Sequence, residues 1–313
     1  MAAFNPKFYH QYRLRSVSLP TTLHPSTVKI EQIVNKLKTF ETSSSFSSSF
    51  SRADHLSNSL VGLKELYQAI EELLALQITK QALSQHQDNP RVKALVEESV
   101  TFIDVCNNSR DTVMQMIQGV RGLRSSFRRN KLGELSIESD ISEFNFSRKG
   151  LRKEISRSLA KLKSTDNNRG IHLHLFNRSE DHQILTAVKA LTEASLLTIS
   201  TLSSLLLFLS VPVMKSKQSK WSLVSKLMQK GAFAGDQGQR NKLNELENVD
   251  IALGDLLIHS SCKENDAGKD KIESAQRKLE ALETVLENLE NILESLFRHL
   301  IRARVSLLNI FSH

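Results

Sequence analysis

The C-terminal part of the chain carries apolar residues in a strict seven-residue repeat, and this repeat restricts the possible folds more than any other feature. Two positions of each heptad, a and d, are apolar through six consecutive heptads. A helix with this pattern buries one stripe of side chains against neighbouring helices, as in coiled coils. The a positions are Ile272, Leu279, Leu286, Leu293, Leu300 and Leu307, and the d positions are Ala275, Leu282, Leu289, Leu296, Ala303 and Ile310.

Further apolar residues lie outside the a and d positions of this helix and widen its stripe. A wide stripe buries against several neighbours, which favours a bundle within one chain over a zipper between two chains. The oligomeric state stays open at this point. The additional residues are Val285, Ile292, Phe297, Ile301, Val305, Leu308 and Phe311.

Residues that break helices are rare in the rest of the chain. The sequence has 11 Gly and 5 Pro, and after Pro25 only Pro90 and Pro212 interrupt it. Helical hydrogen bonding can therefore continue over long stretches. We predict an all-α fold, a large helical bundle of long amphipathic helices with a coiled-coil-like C-terminal one. A flexible arm (1–25) precedes the bundle domain (26–313), which contains a Ser-rich linker (41–53) and polar loops near 164–178, 229–241 and 263–271.

The formal net charge of +8 favours acidic partners, and a basic helix in the middle of the chain is the clearest candidate contact. Such a helix can bind an anionic membrane surface, although a run of charges more often forms a solvated face of a bundle. Nucleic acid is the weaker alternative, because no aromatic stacking platform accompanies the cations. The candidate residues are Arg148, Lys149, Arg152, Lys153 and Arg157.

The segment from Ala194 to Met214 contains no charged residue. At about 1.5 Å per residue, a helix of this length can cross the hydrocarbon core of a bilayer. It also contains several Ser and Thr residues, and a buried central helix explains it as well. The sequence leaves both interpretations open.

The N-terminal arm contains the short motif RSVSLP, residues 15–20. Arg15 lies three residues before Ser18, at the offset that basophilic kinases read. Phosphorylation would add about two negative charges and three acceptor oxygens. With Ser16 before it and Pro20 after it, phosphorylated Ser18 would resemble a ligand of 14-3-3 proteins. The alternative is an unmodified Ser-rich arm.

No pattern in the sequence indicates catalysis. The P-loop, HExxH and GxSxG motifs are absent, and His172 and His174 lack the Cys or carboxylate residues that would complete a metal site. We therefore expect no enzyme activity and no cofactor. Two Cys residues and no secretory signal predict a cytoplasmic protein, with membrane association and organellar targeting as alternatives.

Several sequence blocks together resemble the plant-specific BYPASS-like family. They are RSVSLP (15–20), LYQAIEELLAL (66–76), FIDVCNNSRD (102–111), RSSFRR (124–129), KWSLVSKLM (220–228) and ENLENILESLFRHLIRARVSLLNI (287–310). The chain departs from the family pattern at Gln77 and Lys80. The resemblance implies a helical protein associated with root and shoot development, and it implies no catalytic residue or cofactor.

These observations together predict a non-enzymatic regulatory or interaction protein in plant development. It would dock partners through the phosphorylatable arm and the helix faces. The alternative is a membrane-associated adaptor that uses the apolar segment 194–214 and the adjacent basic residues.

Overall fold

The computed structural model describes residues 24–43, 51–130, 137–172, 182–211, 244–259 and 266–312. Of these residues 95% are helical, and none of them lies in a strand. The predicted all-α fold is confirmed. The eight helices in the described ranges are α1 (Pro25–Ser43), α2 (Arg52–Ala75), α3 (Gln77–Gln85), α4 (Pro90–Asn130), α5 (Ile137–His172), α6 (His182–Leu209), α7 (Glu245–His259) and α8 (Asp266–Phe311).

Side chains cap the first turns of α2 and α7. Asp54 N donates to Ser51 Oγ at 3.1 Å, and Ser51 N donates to Asp54 Oδ2 at 3.3 Å. At the start of α7, Asn244 N donates to Glu247 Oε2 at 2.8 Å. Such bonds satisfy backbone groups that have no partner within the helix. Asn244 Nδ2 also donates to the carbonyl of Phe208 at 3.1 Å, so the start of α7 is fixed to the end of α6.

The long helix α8 packs against α2, α3, α4 and α7. It runs antiparallel to α4, since Arg110 pairs with Glu294 whereas Arg121, further along α4, pairs with Glu283, earlier in α8. Both pairs lie along the edge where the two helices meet. Ion pairs between fixed positions on two helices define their register.

The heptads of α8 are buried within the single chain. The a and d residues from Ala275 to Ile310 have at most 6% of their surface exposed. The repeat therefore packs against helices of the same chain, as the bundle interpretation requires. The wider stripe is only partly covered, because Ile301, Val305 and Leu308 are 37%, 48% and 40% exposed.

Helix α6 lies at the centre of the bundle, where it contacts α1, α2, α3, α4 and α5. Within the described residues it is the one helix long and apolar enough to cross a membrane, and 61% of that window, Ile184–Leu209, is buried by the bundle. Its hydroxyl groups find polar partners there. The hydroxyls of Thr198 and Tyr67 are 2.9 Å apart, and Ser195 Oγ donates to Glu98. The structure thus buries most of the described part of the uncharged segment, 194–211, although Leu196 and Leu207 are 39% and 60% exposed.

Parts of three segments that the sequence predicts as loop or linker are helical. Helix α5 continues to His172, so the loop predicted at 164–178 is wrong for residues 164–172. Ser, Asp and Asn favour turns, but no Pro interrupts this stretch and Thr165 Oγ1 bonds the carbonyl of Lys161 within the helix. Residues 41–43 belong to α1, 52–53 to α2 and 266–271 to α8. The loop predicted at 229–241 lies outside the described residues.

Candidate functional site

Helix α5 separates apolar and basic residues onto opposite faces. Its apolar face packs against α4 and α6. The spacing of three or four residues between its buried side chains keeps them on one side of the helix. The buried residues on this face are Ile141, Phe144, Leu151, Ile155 and Leu162, and the exposed basic residues are Lys149, Arg152, Lys153 and Arg157.

Arg148 does not belong to the exposed set, and its predicted role as an anionic-surface contact is corrected. Only 4% of its surface is exposed, because it lies four residues after Phe144 on the apolar side of α5. The guanidinium forms an ion pair with Asp250 of α7 and lies 5.5 Å from the centre of the Phe144 ring. Arg148 Nη2 also donates to the carbonyl of Val211, which follows α6. Arg148 therefore joins α5, α6 and α7.

The carboxylate of Asp250 is buried with Arg148. Burial raises its pKa, and the hydrogen bond and charge of Arg148 oppose that rise without cancelling it. Asp250 Oδ2 accepts no hydrogen bond among the described residues. Removing the cation from a buried carboxylate of this kind strongly destabilises the fold.

The remaining four cations of the predicted site point to solvent. Arg157 pairs with Glu154 at 2.6 Å, and both side chains are more than half exposed. Lys149, Arg152 and Lys153 have no ion-pair partner within the described ranges. The predicted contact with an anionic surface stays a prediction, now carried by these four residues.

A second exposed feature lies on the same side of α5. Phe146 is 78% exposed, the highest value among the large hydrophobic residues that the structure describes. It precedes Lys149 by three residues, so the two side chains are neighbours on the helix surface. Sequence inspection for basic residues missed Phe146. The signal was available, because Phe146 is out of phase with Phe144 and Leu151 on the apolar face.

Other basic residues of the sequence serve the contact between α4 and α8. Arg121 Nε donates to Glu283 at 2.7 Å, and Arg124 also pairs with Glu283. Burial raises the pKa of Glu283, but the hydrogen bonds and charges of the two arginines outweigh it and leave that pKa below its usual value. These arginines thus form ion pairs that join α4 to α8.

A buried polar cluster joins α4 to α6, and no sequence motif indicated it. Arg91 is 2% exposed and pairs with Glu98 at 2.9 Å. Arg91 Nη2 donates to Thr192 Oγ1 at 3.2 Å, and Glu98 accepts from Ser195. The four side chains satisfy one another, so the cluster accounts for these polar groups of the core without a ligand.

The described residues contain little that resembles a catalytic centre. No group of three or more potential metal ligands occurs among them. Burial raises the pKa of the Cys106 thiol to about 12, which makes it a poor nucleophile. An open groove of about 830 Å³ lies where α2, α3 and the end of α8 meet, and amides, hydroxyls and one lysine line most of it.

The predicted docking motif of the arm, Arg15, Ser16, Ser18 and Pro20, lies outside the described residues. Its role as a phosphorylated ligand for a 14-3-3 protein stays a prediction. The first described residue is His24, directly before α1.

Comparison with known protein families identifies the family to which this helical chain belongs. A family model described as Protein BPS1 matches residues 59–310, which is most of the chain. The chain belongs to the BPS1 family. The resemblance to BYPASS-like proteins is thereby confirmed, and the match covers α2 from Ser59 onwards together with all later helices to Ile310 of α8.

The family assignment is compatible with a role in plant development, and the family is not known as one of enzymes. No curated protein and no solved structure gave a significant match.

Proposed function

We propose that this protein is a non-enzymatic regulatory protein of plant root and shoot development that acts by binding partners through its N-terminal arm and exposed helix faces. One contrast supports this function. The buried charges, such as Arg148 with Asp250, are used to join helices, whereas Lys149, Arg152 and Lys153 face solvent without an ion-pair partner among the described residues. The bundle thus presents charge outward, where a partner can reach it.

In this proposal the arm supplies a regulated contact. Phosphorylation of Ser18 creates a group that an arginine cluster of a 14-3-3 protein binds by charge-assisted hydrogen bonds. Arg15 recruits the kinase, and Pro20 turns the chain away from the binding groove. One additional charge-assisted hydrogen bond contributes about 1.5 kcal/mol or more, which is at least about tenfold in affinity.

Synthetic peptides of residues 12–24 test this contact with a purified 14-3-3 protein. The peptide phosphorylated at Ser18 should bind at least about tenfold more tightly than the unphosphorylated peptide. A peptide phosphorylated at Ser16 is the matched control, since it has the same charge two positions away. Equal binding of the Ser16 and Ser18 phosphopeptides would contradict the proposed docking motif.

The full chain tests the regulatory function itself. In a plant that lacks the protein, the Ser18→Ala variant should fail to restore normal root and shoot growth, while Ser16→Ala should restore it. Full restoration by Ser18→Ala, at normal protein levels, would remove the arm from the mechanism.

A second candidate function is that of a membrane-associated adaptor, and the exposed cations of α5 favour it. The predicted use of the apolar segment 194–214 receives no support from its described part, which is mostly buried by the bundle. Association would then be peripheral and electrostatic. The protein should pellet with plant membranes at low salt and leave them at high salt, because salt screens surface charges. Absence from the membrane fraction at low salt would argue against this second function.

A further inference from the structure

We propose that the outer face of α5 binds the anionic surface of a lipid bilayer, with Phe146 inserted among the headgroups and Lys149, Lys153 and Arg157 bound to lipid phosphates. The proposal rests on the second function above, membrane association, and assigns to it a face, an anchoring residue and a class of lipid.

The four side chains form a single line along the helix. Phe146, Lys149, Lys153 and Arg157 follow one another at intervals of three or four residues, which places them on successive turns of one face. At about 1.5 Å per residue the line is about 16 Å long. Gly150 lies beside Phe146 on this face, and a Cβ atom built there has nothing within 4 Å. Nothing in the described fold covers the line.

The charge of this face is strongly one-sided. Between Lys149 and Lys163 the helix has one acidic residue, Glu154, which pairs with Arg157 at the surface. Of the other acids of α5, Glu138, Asp140 and Glu143 precede Phe146, and Asp166 follows Lys163 by three residues. Lys161 reaches Asp104 at 3.4 Å, and both side chains are about half exposed. The cations on this half of α5 are Lys149, Arg152, Lys153, Arg157, Lys161 and Lys163.

A bilayer fits this face better than an acidic protein does. The outer side of one helix is convex, and the open groove of about 830 Å³ lies elsewhere, where α2, α3 and the end of α8 meet. A fluid, flat surface needs no complementary groove. Lysine and arginine side chains extend far enough to reach phosphates while their aliphatic parts stay near the apolar boundary.

The exposed aromatic ring of Phe146 also favours a lipid bilayer as the partner of this face. Amphipathic helices that lie in a membrane interface combine lysines and arginines with Phe, Trp or Leu, and aromatic rings sit at the level of the headgroups. A hydrated acidic peptide offers no apolar layer for Phe146. Its 78% exposure is therefore explained by a partner that has charge outside and hydrocarbon beneath.

Binding of the full-length protein to lipid vesicles tests the proposal. We expect binding to vesicles that contain phosphatidylserine and little binding to phosphatidylcholine alone. Each cation near such a surface contributes about fivefold in affinity, so Lys149→Gln with Lys153→Gln should weaken binding about 25-fold. Phe146→Ser should weaken it about tenfold, and Phe146→Trp should preserve it.

A double substitution elsewhere on the surface serves as the matched control. Lys80 of α3 and Arg302 of α8 are exposed, and Lys80→Gln with Arg302→Gln removes the same charge. The control should lose less than about threefold in vesicle affinity, because most of its effect is screened. Unchanged circular dichroism melting would show that each variant is folded.

Several results would overturn the proposal. They are equal losses in the two double variants, equal binding to both vesicle types, or unchanged binding of Phe146→Ser. The wild-type protein could instead fail to bind vesicles while Lys149→Gln with Lys153→Gln abolishes binding to an acidic protein. That result would assign the face to the acidic protein.

Fractionation of plant cells separates this proposal from the function on which it rests. If wild type and the α5 double variant pellet equally with membranes at low salt, membrane association stands and the assignment to α5 fails. If the wild type does not pellet, both fail. Loss of the variant alone supports both.

Discussion

Removing Arg148 should destabilise the protein far more than removing an exposed arginine of the same helix. In Arg148→Met the side chain keeps much of its volume, but Asp250 loses its buried cation. The side chains of this pair are 4% and 2% exposed. Breaking such a pair on one side costs about 3–5 kcal/mol, because an uncompensated charge stays buried.

The pH dependence of this loss has a definite sign. The pKa of Asp250 is already raised by burial, and Arg148 lowers it, so Arg148→Met raises it further. A folded-state pKa above the unfolded value means that the folded chain holds the proton more tightly. Stability then falls as the pH rises from the ordinary carboxyl pKa through the folded one. The deficit of Arg148→Met should be smallest in acid, where Asp250 is protonated, and should grow toward neutral pH.

Urea unfolding followed by far-ultraviolet circular dichroism measures both effects. Arg157→Met is the matched control, because Arg157 pairs with Glu154 at the surface and should cost no more than about 0.5 kcal/mol. The double variant Arg148→Met with Asp250→Leu should recover most of the loss, since no charge is then buried. A cost for Arg148→Met equal to that of Arg157→Met, or a deficit independent of pH, would refute the structural role of this pair.

Three further predictions concern the core. Gly62→Ala should destabilise the junction of α1 and α2, because the new Cβ would lie 2.5 Å from Leu37 Cδ2. Gly150→Ala is the control and should stabilise α5 by about 0.5–1 kcal/mol, because a Cβ at that position meets nothing within 4 Å. Thermal melting compares the two variants, and equal shifts of the melting temperature would contradict the packing at Gly62. Leu289→Ala should lower the free energy of unfolding by about 2–5 kcal/mol. The molar mass measured by light scattering should stay the same, since Leu289 is buried within one chain, and a change of oligomeric state would contradict that packing. In a Cys262→Ser background, Cys106 should react with a thiol reagent only after unfolding, because burial raises its pKa to about 12. Rapid reaction of the native protein would show that the core around Cys106 opens to solvent.

The sequence was sufficient to predict the fold class and the apolar stripe that α8 buries. The heptad positions from Ala275 to Ile310 are all buried, because a strict apolar repeat has one favourable arrangement, against other helices. The exposed Ile301 and Val305 show the limit of that reasoning. Periodicity identifies an apolar face, but the extent of its cover depends on where the neighbouring helices end.

Helix boundaries were predicted less well, because weak local preferences determine them. The helical conformation is interrupted at Leu76, whose φ of −66° and ψ of 131° are extended, although the apolar period of the sequence continues across this residue. In contrast, α5 continues through Ser164 and Asn167, which are typical of loops. Tertiary packing commonly overrides such preferences, and exposed helix ends vary most.

The candidate site was predicted in part. The spacing of the basic residues identified the exposed side of α5, and Lys149, Arg152, Lys153 and Arg157 lie there. Arg148 was grouped with them by charge, although its distance from Phe144 places it on the apolar face. Its partner Asp250 is distant in sequence and belongs to another helix, so no local pattern could reveal the pair.

Alkaline carbonate extraction of membranes from plant cells that express the full-length protein tests whether α6 is buried in the bundle or inserted in a bilayer. In this structure 61% of the apolar window of α6 is buried by the bundle, and we propose that the outer face of α5 makes any contact with a membrane. The protein should therefore be soluble or be released by high salt, and none should stay in the membrane pellet after carbonate treatment. Retention through both the salt and the carbonate wash would mean that α6 is inserted in the bilayer and is not a helix of the bundle core.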